Sequence, residues 1–152
     1  MLGHSAGGAT AIFAAKQDCR IKAAINWDGS ISRSPDLTGL SQPVLIMAHG
    51  NTTLDWLEAW PQLEGPKMIA HIANTTHQSF TDFATLMQAA GLTGAPYAEI
   101  LGTIPAAKMV DVLTTYATAW FNDAFAGRME ETRELLESKE FPEVSQRMRA
   151  NF

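Results

Sequence analysis

The sequence predicts an α/β fold, a parallel sheet with helices on its flanks, and three observations carry that expectation. Short apolar segments of strand character alternate with helical ones, as parallel strands joined by helical crossovers require. One of them, Pro43 to Ala48 (PVLIMA), is apolar at nearly every position, the mark of a strand covered on both faces. The chain also opens on Gly3-His4-Ser5-Ala6-Gly7, a glycine-flanked serine of the kind that turns tightly from a strand into a helix.

Taken in order, the turn comes first. A serine in G-x-S-x-G sits in a strained conformation where larger neighbours collide with strand and helix, so glycine on both flanks is expected to remove those collisions. Ala6 to Lys16 (AGGATAIFAAK) is small and alanine-rich, suited to a helix lying close on a sheet. Ile21 to Trp27 (IKAAINW) reads as a buried strand, Pro43 to Ala48 as the next, and Lys67 to Ala73 as a third. Between them lie a turn-rich loop from Gly29 to Gln42 and a helix around Leu54 to Leu63. Ser79 to Ala90 predicts a further helix, and the glycines and proline of Gly91 to Gly102 a loop. Pro105 then opens the strongest helix, where Met109, Leu113, Tyr116, Trp120 and Ala124 recur at helical spacing as a core-packing stripe. Past Gly127 the composition changes. Arg128 to Phe152 holds five basic and six acidic residues, anchored mainly by Leu135 and Leu136, and reads as a charged, solvated helical tail.

The composition bounds the function. With 152 residues, 46% of them hydrophobic and 18% charged, the chain fits one soluble domain. A net charge of −5 without clustered Lys and Arg argues against nucleic acid as a partner. Cys19 is the single cysteine, so an intrachain disulfide and thiolate-built metal sites are both excluded. No apolar run approaches the ~20 residues a transmembrane helix needs. The sequons Asn51-Thr52-Thr53 and Asn74-Thr75-Thr76 read as accidental, because a glycan on Asn74 would crowd His77.

A nucleophilic serine needs an imidazole to take its proton and a carboxylate to hold that imidazole's tautomer. Four histidines are available. His4 lies inside the turn and His71 inside the third strand, so neither reaches over the strand ends. His49 directly follows the second strand and stays a candidate. His77 is preferred, because it sits in the loop after the third strand, and loops at the carboxyl ends of strands are where such sheets build sites. For the acid, Asp28 follows the strand ending at Trp27 and projects from the same sheet edge as Ser5. Asp55 is the rival, but its place in the first turn of a helix has an ordinary explanation in the helix dipole. Asp28 is therefore favoured.

Three stretches, GHSAGGATA, AAINWDGS and THQSFTDF, resemble the platelet-activating factor acetylhydrolase family and its microbial and fungal relatives over about Met1 to Asp82. From there to Phe125 the likeness is architectural only. The resemblance implies a partial α/β-hydrolase fold with Ser5, Asp28 and His77 as the triad and the Ala6 N–H as one oxyanion donor. It further implies short-chain or oxidised acyl esters, phospholipids among them, or small esters generally, with no metal or cofactor and with Trp27 and Phe80 as apolar pocket residues. A polyester-degrading, cutinase-like enzyme is the competing enzymatic reading, favoured if Asp55 is the acid. A catalytically inactive fragment is the other. Because only Met1 and Leu2 precede the turn, the feeding strand, the strands before it and the loop giving the second oxyanion donor are expected to be missing. Residues 1–127 then read as the carboxyl-terminal part of a hydrolase domain whose sheet another segment completes.

Overall fold

A computed structural model describes residues 1–31 and 36–152, and in it sequence order and sheet order coincide. Strands β1 (Leu2–His4), β2 (Ala24–Trp27), β3 (Val44–Ala48) and β4 (Lys67–Ile72) run parallel, and β5 (Val144–Ala150) lies antiparallel against β4. The helices are α1 (Ala6–Gln17), α2 (Leu54–Ala59), α3 (Phe83–Ala89), the four-residue α4 (Ala98–Leu101), α5 (Ala106–Ala126) and α6 (Glu130–Ser138). Four residues of the expected loop between Gly29 and Gln42, 32–35, lie outside the described residues. Among the described residues no helix is long and apolar enough to cross a membrane.

Two apolar layers explain the continuous hydrophobicity of β3, all of whose residues are buried. Val44, Ile46 and Ala48 face a core built with Ala11, Ile12 and Ala15 of α1 and with Trp56 and Ala59 of α2. Leu45 and Met47 face the opposite core, where Met109, Val112, Leu113, Tyr116 and Trp120 of α5 pack on the sheet. Strand alternation thus feeds both faces, and no position is left for a polar side chain. Gly127 ends α5 at φ +70°, the left-handed conformation that suits glycine after a helix.

The structure corrects the expectations at four places. A feeding strand is present: β1 has only three residues, and its ladder continues through the Ser5 N–H to the Trp27 carbonyl at 2.8 Å. The helix expected over Ser79 to Ala90 is split into a 3₁₀ turn at His77–Phe80 and α3, because Thr81 is extended and its hydroxyl accepts the Phe83 N–H at 3.1 Å. The expected loop from Gly91 to Gly102 holds a 3₁₀ turn at Ala95–Tyr97 and α4. The segment past Gly127 is helical only in α6. Its last part is β5, which runs along all of β4 from Ile72 opposite Val144 to Lys67 opposite Ala150. Val144 and Met148 pack against the two cores while Arg147 and Arg149 stay at the surface. Charged side chains on an outer strand discourage pairing with further chains, so the composition that suggested a solvated tail suits a sheet edge equally well.

α6 is held by a borrowed cap. Asp123, fully buried on α5, accepts the N–H groups of Glu131 at 3.1 Å and Thr132 at 2.8 Å, two of the donors that a helix start leaves unpaired.

Candidate active site

The carboxyl ends of β1, β2, β3 and β4 meet at one rim, and each contributes to the site. Ser5 follows β1 with φ 56° and ψ −127°, a strained conformation that surrounding contacts must hold. Those contacts are close. A Cβ on Gly3 would come within 2.3 Å of the Gly7 carbonyl, and a Cβ on Gly8 within 2.1 Å of Asn26 Oδ1. A Cβ on Gly7 would meet nothing within 4 Å, so it is Gly8, not Gly7, that packing requires after the serine. Gly29 is required for the same reason, since its Cβ would sit 2.1 Å from the Ser5 carbonyl oxygen.

Asp28 directly follows β2 and also has a left-handed backbone, φ 55°, which Asp tolerates better than most residues. Its own N–H bonds to the Met47 carbonyl at 2.8 Å, extending the β2–β3 ladder by one residue. Buried Asn26 shapes the next turn by accepting the Gly29 N–H at 2.7 Å and donating to the Gly29 carbonyl at 2.8 Å. Trp56 donates to the same carbonyl at 2.9 Å.

His77 stands in the 3₁₀ turn after β4, and that turn is clamped twice. Ser79 accepts the Thr76 N–H at 2.9 Å and donates to the Leu101 carbonyl at 2.7 Å, while the Asn74 carbonyl accepts the N–H groups of Thr103 and Ile104. The His77 carbonyl is tied to the serine turn by His4 Nε2 at 3.0 Å. Burial, and then the nearby His77, push the His4 imidazole below its ordinary 6.5, which favours the neutral form, with the Nε2–H donating that bond.

These placements bring His77 Nε2 to 3.1 Å from Ser5 Oγ and His77 Nδ1 to 2.6 Å from Asp28 Oδ2. Ser5, Asp28 and His77 are therefore brought together as expected from the sequence. Ala6, exposed at the start of α1, presents one of the N–H groups for which a helix has no internal acceptor. Asp55 is elsewhere engaged, accepting Ser30 Oγ at 2.9 Å and the Ile31 N–H at 2.6 Å. Although burial pushes its carboxyl up, bonds from Thr53, Ser30 and Ile31 carry it below the ordinary carboxylate value. Trp27 and Phe80 do not line the cleft over Ser5. They belong to the α5-side core and border a separate cavity of about 140 Å³, with Phe80 stacked on His4. The cleft itself, about 340 Å³, is lined by Ser5, Asp28, His49, Asn51, Trp56 and His77 among others.

One feature was not anticipated. His49 donates its backbone N–H to Asp28 Oδ1 at 3.0 Å and sets its Nδ1 2.6 Å from Oδ2, so one carboxylate carries two imidazoles. The signal was the parallel register: Trp27 pairs with Met47, which sets Asp28 beside the residues just past β3. The ligand atoms of Asp28, His49 and His77 lie within 4.8 Å of one another, close enough to share a metal ion. His71 is different. Arg147 Nε–H can only donate, so His71 Nδ1 accepts it at 3.2 Å and the proton resides on Nε2, facing Thr52 Oγ1 at 3.2 Å. Burial, then Arg147, push this imidazole down as well.

Comparison with known proteins finds esterases among this chain's relatives. The profile of the family described as Platelet-activating factor acetylhydrolase, isoform II, matches residues 1–121. A probable 1-alkyl-2-acetylglycerophosphocholine esterase of the fungus Arthroderma benhamiae is 30% identical in an alignment covering 95% of this chain and 42% of that protein. The structure of a ferulic acid esterase from Streptomyces cinnamoneus superposes with a TM-score of 0.82 at 33% identity, covering 97% of this chain and 46% of that one. The chain thus spans less than half the length of these two relatives, and its mostly parallel sheet with flanking helices is a partial α/β-hydrolase fold.

Proposed function

This chain belongs to the Platelet-activating factor acetylhydrolase, isoform II, family, and from that membership we propose that it carries the nucleophile, base and acid of a serine carboxylic-ester hydrolase. The observation that carries the proposal is the unbroken relay from Ser5 Oγ through His77 to Asp28, at 3.1 and 2.6 Å. Ser5 attacks the ester carbonyl, and His77 Nε2 accepts the hydroxyl proton. Asp28 accepts the Nδ1–H, keeps the tautomer that leaves Nε2 free, and stabilises the imidazolium that forms. The Ala6 N–H donates to the developing oxyanion. His77 then returns the proton to the leaving alcohol and activates the water that releases the acyl group.

The cleft and the family support a substrate class. A volume of about 340 Å³ is near the lower bound for small-molecule sites, and Asn51 and Thr53 add polar groups to its wall. Both suit short-chain or oxidised acyl esters, including those on phospholipids, rather than long saturated chains. A polyester substrate with Asp55 as acid lacks such support, because Asp55 is held by Ser30 and Ile31.

In this reading a second oxyanion donor comes from a segment that pairs along the outer edge of β1. Among the described residues that edge is the end of the sheet, and β1 pairs there with β2 alone. Losing one such donor costs roughly 10²–10³ in turnover, so the 152-residue chain is expected to hydrolyse esters slowly and to be accelerated by that amount when joined to the completing segment.

The test combines a fluorophosphonate probe with p-nitrophenyl esters of graded length. Labelling at Ser5 that disappears in Ser5→Ala, with acetate cleaved faster than palmitate, is the expected result. Folded protein that stays unlabelled even when joined to the completing segment would make this chain a catalytically inactive relative.

A further inference from the structure

We propose that Asp28, His49 and His77 also form a binding site for a divalent transition ion of the zinc class, and that metal occupancy and proton relay through His77 exclude each other; the second half of the proposal rests on the function proposed above.

The relay needs one imidazole on the acid. Here two converge, with His49 Nδ1 and His77 Nδ1 each 2.6 Å from the same oxygen, Asp28 Oδ2. Two neutral imidazole nitrogens and one carboxylate oxygen make up the donor set of a three-ligand zinc site, which leaves a fourth position for water or substrate. The three residues are arranged for such a centre. The Asp28 side chain is 3% exposed and forms the floor, while those of His49 and His77 are 45% and 40% exposed and form the rim of the cleft. Tetrahedral zinc holds its ligand atoms farther apart than a hydrogen bond does, so each ring must draw back from Asp28 Oδ2 by several tenths of an ångström. Only the two half-exposed side chains have to move.

The surroundings supply the outer contacts that metal ligands require. Asp28 Oδ1 is fixed by the His49 N–H at 3.0 Å. A metal-bound histidine gives its other N–H to an outer acceptor, and Ser5 Oγ lies 3.1 Å from His77 Nε2. Proton positions then explain the exclusion. Without metal, each Nδ1 bears the proton it donates to Asp28. Metal takes the Nδ1 lone pair, and each imidazole stays neutral with its proton moved to Nε2, so none is released. His77 Nε2–H now donates to Ser5 and has no lone pair for the serine proton.

Equilibrium dialysis of the chain against zinc chloride, near neutral pH and in buffer free of chelators, tests the site without using activity. One zinc per chain with a Kd of about 10 μM or tighter is expected, weakened at least about 100-fold in His49→Ala and in His77→Ala, and changed less in Ser5→Ala. Circular dichroism reports whether each variant folds, and the d–d spectrum of the unmutated chain with cobalt reports imidazole and carboxylate coordination without any substitution. Fluorophosphonate labelling of Ser5 should fall as zinc fills the site and return with EDTA. Substoichiometric binding, or equal affinity in folded His49→Ala, overturns the site. Labelling that persists at full zinc occupancy overturns the exclusion. A chain that binds zinc through His49 and His77 but never labels, even when joined to the completing segment, keeps the metal site and discards the esterase reading, whereas one that labels and binds no zinc does the reverse.

Discussion

The rim around Ser5 and the β4–β5 edge place histidines in opposite ways. At the rim, His77 and His49 are half-exposed and share the carboxylate of Asp28. At the edge, His71 is buried at 5% exposure between Arg147 and Thr52, with its tautomer set by a donor that cannot lose its proton. Both imidazoles face a hydroxyl, but the His77 nitrogen turned to Ser5 is the one left without a proton by the bond to Asp28, whereas the His71 nitrogen turned to Thr52 carries the proton because Arg147 occupies the other lone pair. Chemistry is therefore expected where the imidazole is poised, and stability where it is satisfied.

Substitution of the two candidate acids breaks that comparison hardest. Asp28→Asn should lower ester hydrolysis by about 10⁴-fold, through loss of the His77 tautomer, whereas Asp55→Asn should cost less than about tenfold. Equal effects on kcat/KM would mean that the rim does not work through Asp28.

Glycine replacements probe the same rim by stability. Gly8→Ala should destabilise the chain by about 1–3 kcal/mol, because the new methyl collides with Asn26, as urea titration can measure. Gly7→Ala meets open space and should be neutral or stabilising by up to about 1 kcal/mol. At the other end, Asp123→Ala leaves the Glu131 and Thr132 N–H groups without their acceptor and should cost about 1–2 kcal/mol, read from the same titration. A loss confined to α6 and β5 in hydrogen exchange would show that this edge opens as a unit.

The smallest effect expected is on pH dependence. His4 and His71 are held below their ordinary 6.5, so as pH falls through that value the unfolded chain takes up protons that the folded chain does not. Stability should fall as the pH drops through 6.5, with a shallower fall in His71→Gln. A flat profile for the unsubstituted chain would contradict the neutral assignment.

What could be read from the sequence follows the same division. Ser5, Asp28 and His77 were legible because each stands just past a strand of strong local character, so topology alone gathers them at one edge. β3 announced itself because both of its faces are covered. β1 was not legible, since three residues are too few to show a period. β5 was hidden because Arg147 and Arg149 alternate with half-buried positions, and charge density masked the alternation. His49 was considered as a base, yet its place on Asp28 depends on the parallel register of two strands. Gly8 was passed over for Gly7 because the steric demand comes from Asn26 on the neighbouring strand, not from the motif itself. Trp27 and Phe80 border a cavity apart from the cleft over Ser5, a difference the sequence does not show, because an aromatic beside a catalytic position looks the same whether it faces the cleft or the core.

The central claim is that His77, held by Asp28, activates Ser5. Mass-spectrometric mapping of fluorophosphonate adducts, with labelling rates compared between the unsubstituted chain and a folded His77→Gln variant, tests it most directly. Modification of Ser5 alone, slowed by at least about 10³-fold in the variant, is the predicted result. Equal rates in the two proteins, or adducts spread over other serines, would contradict it.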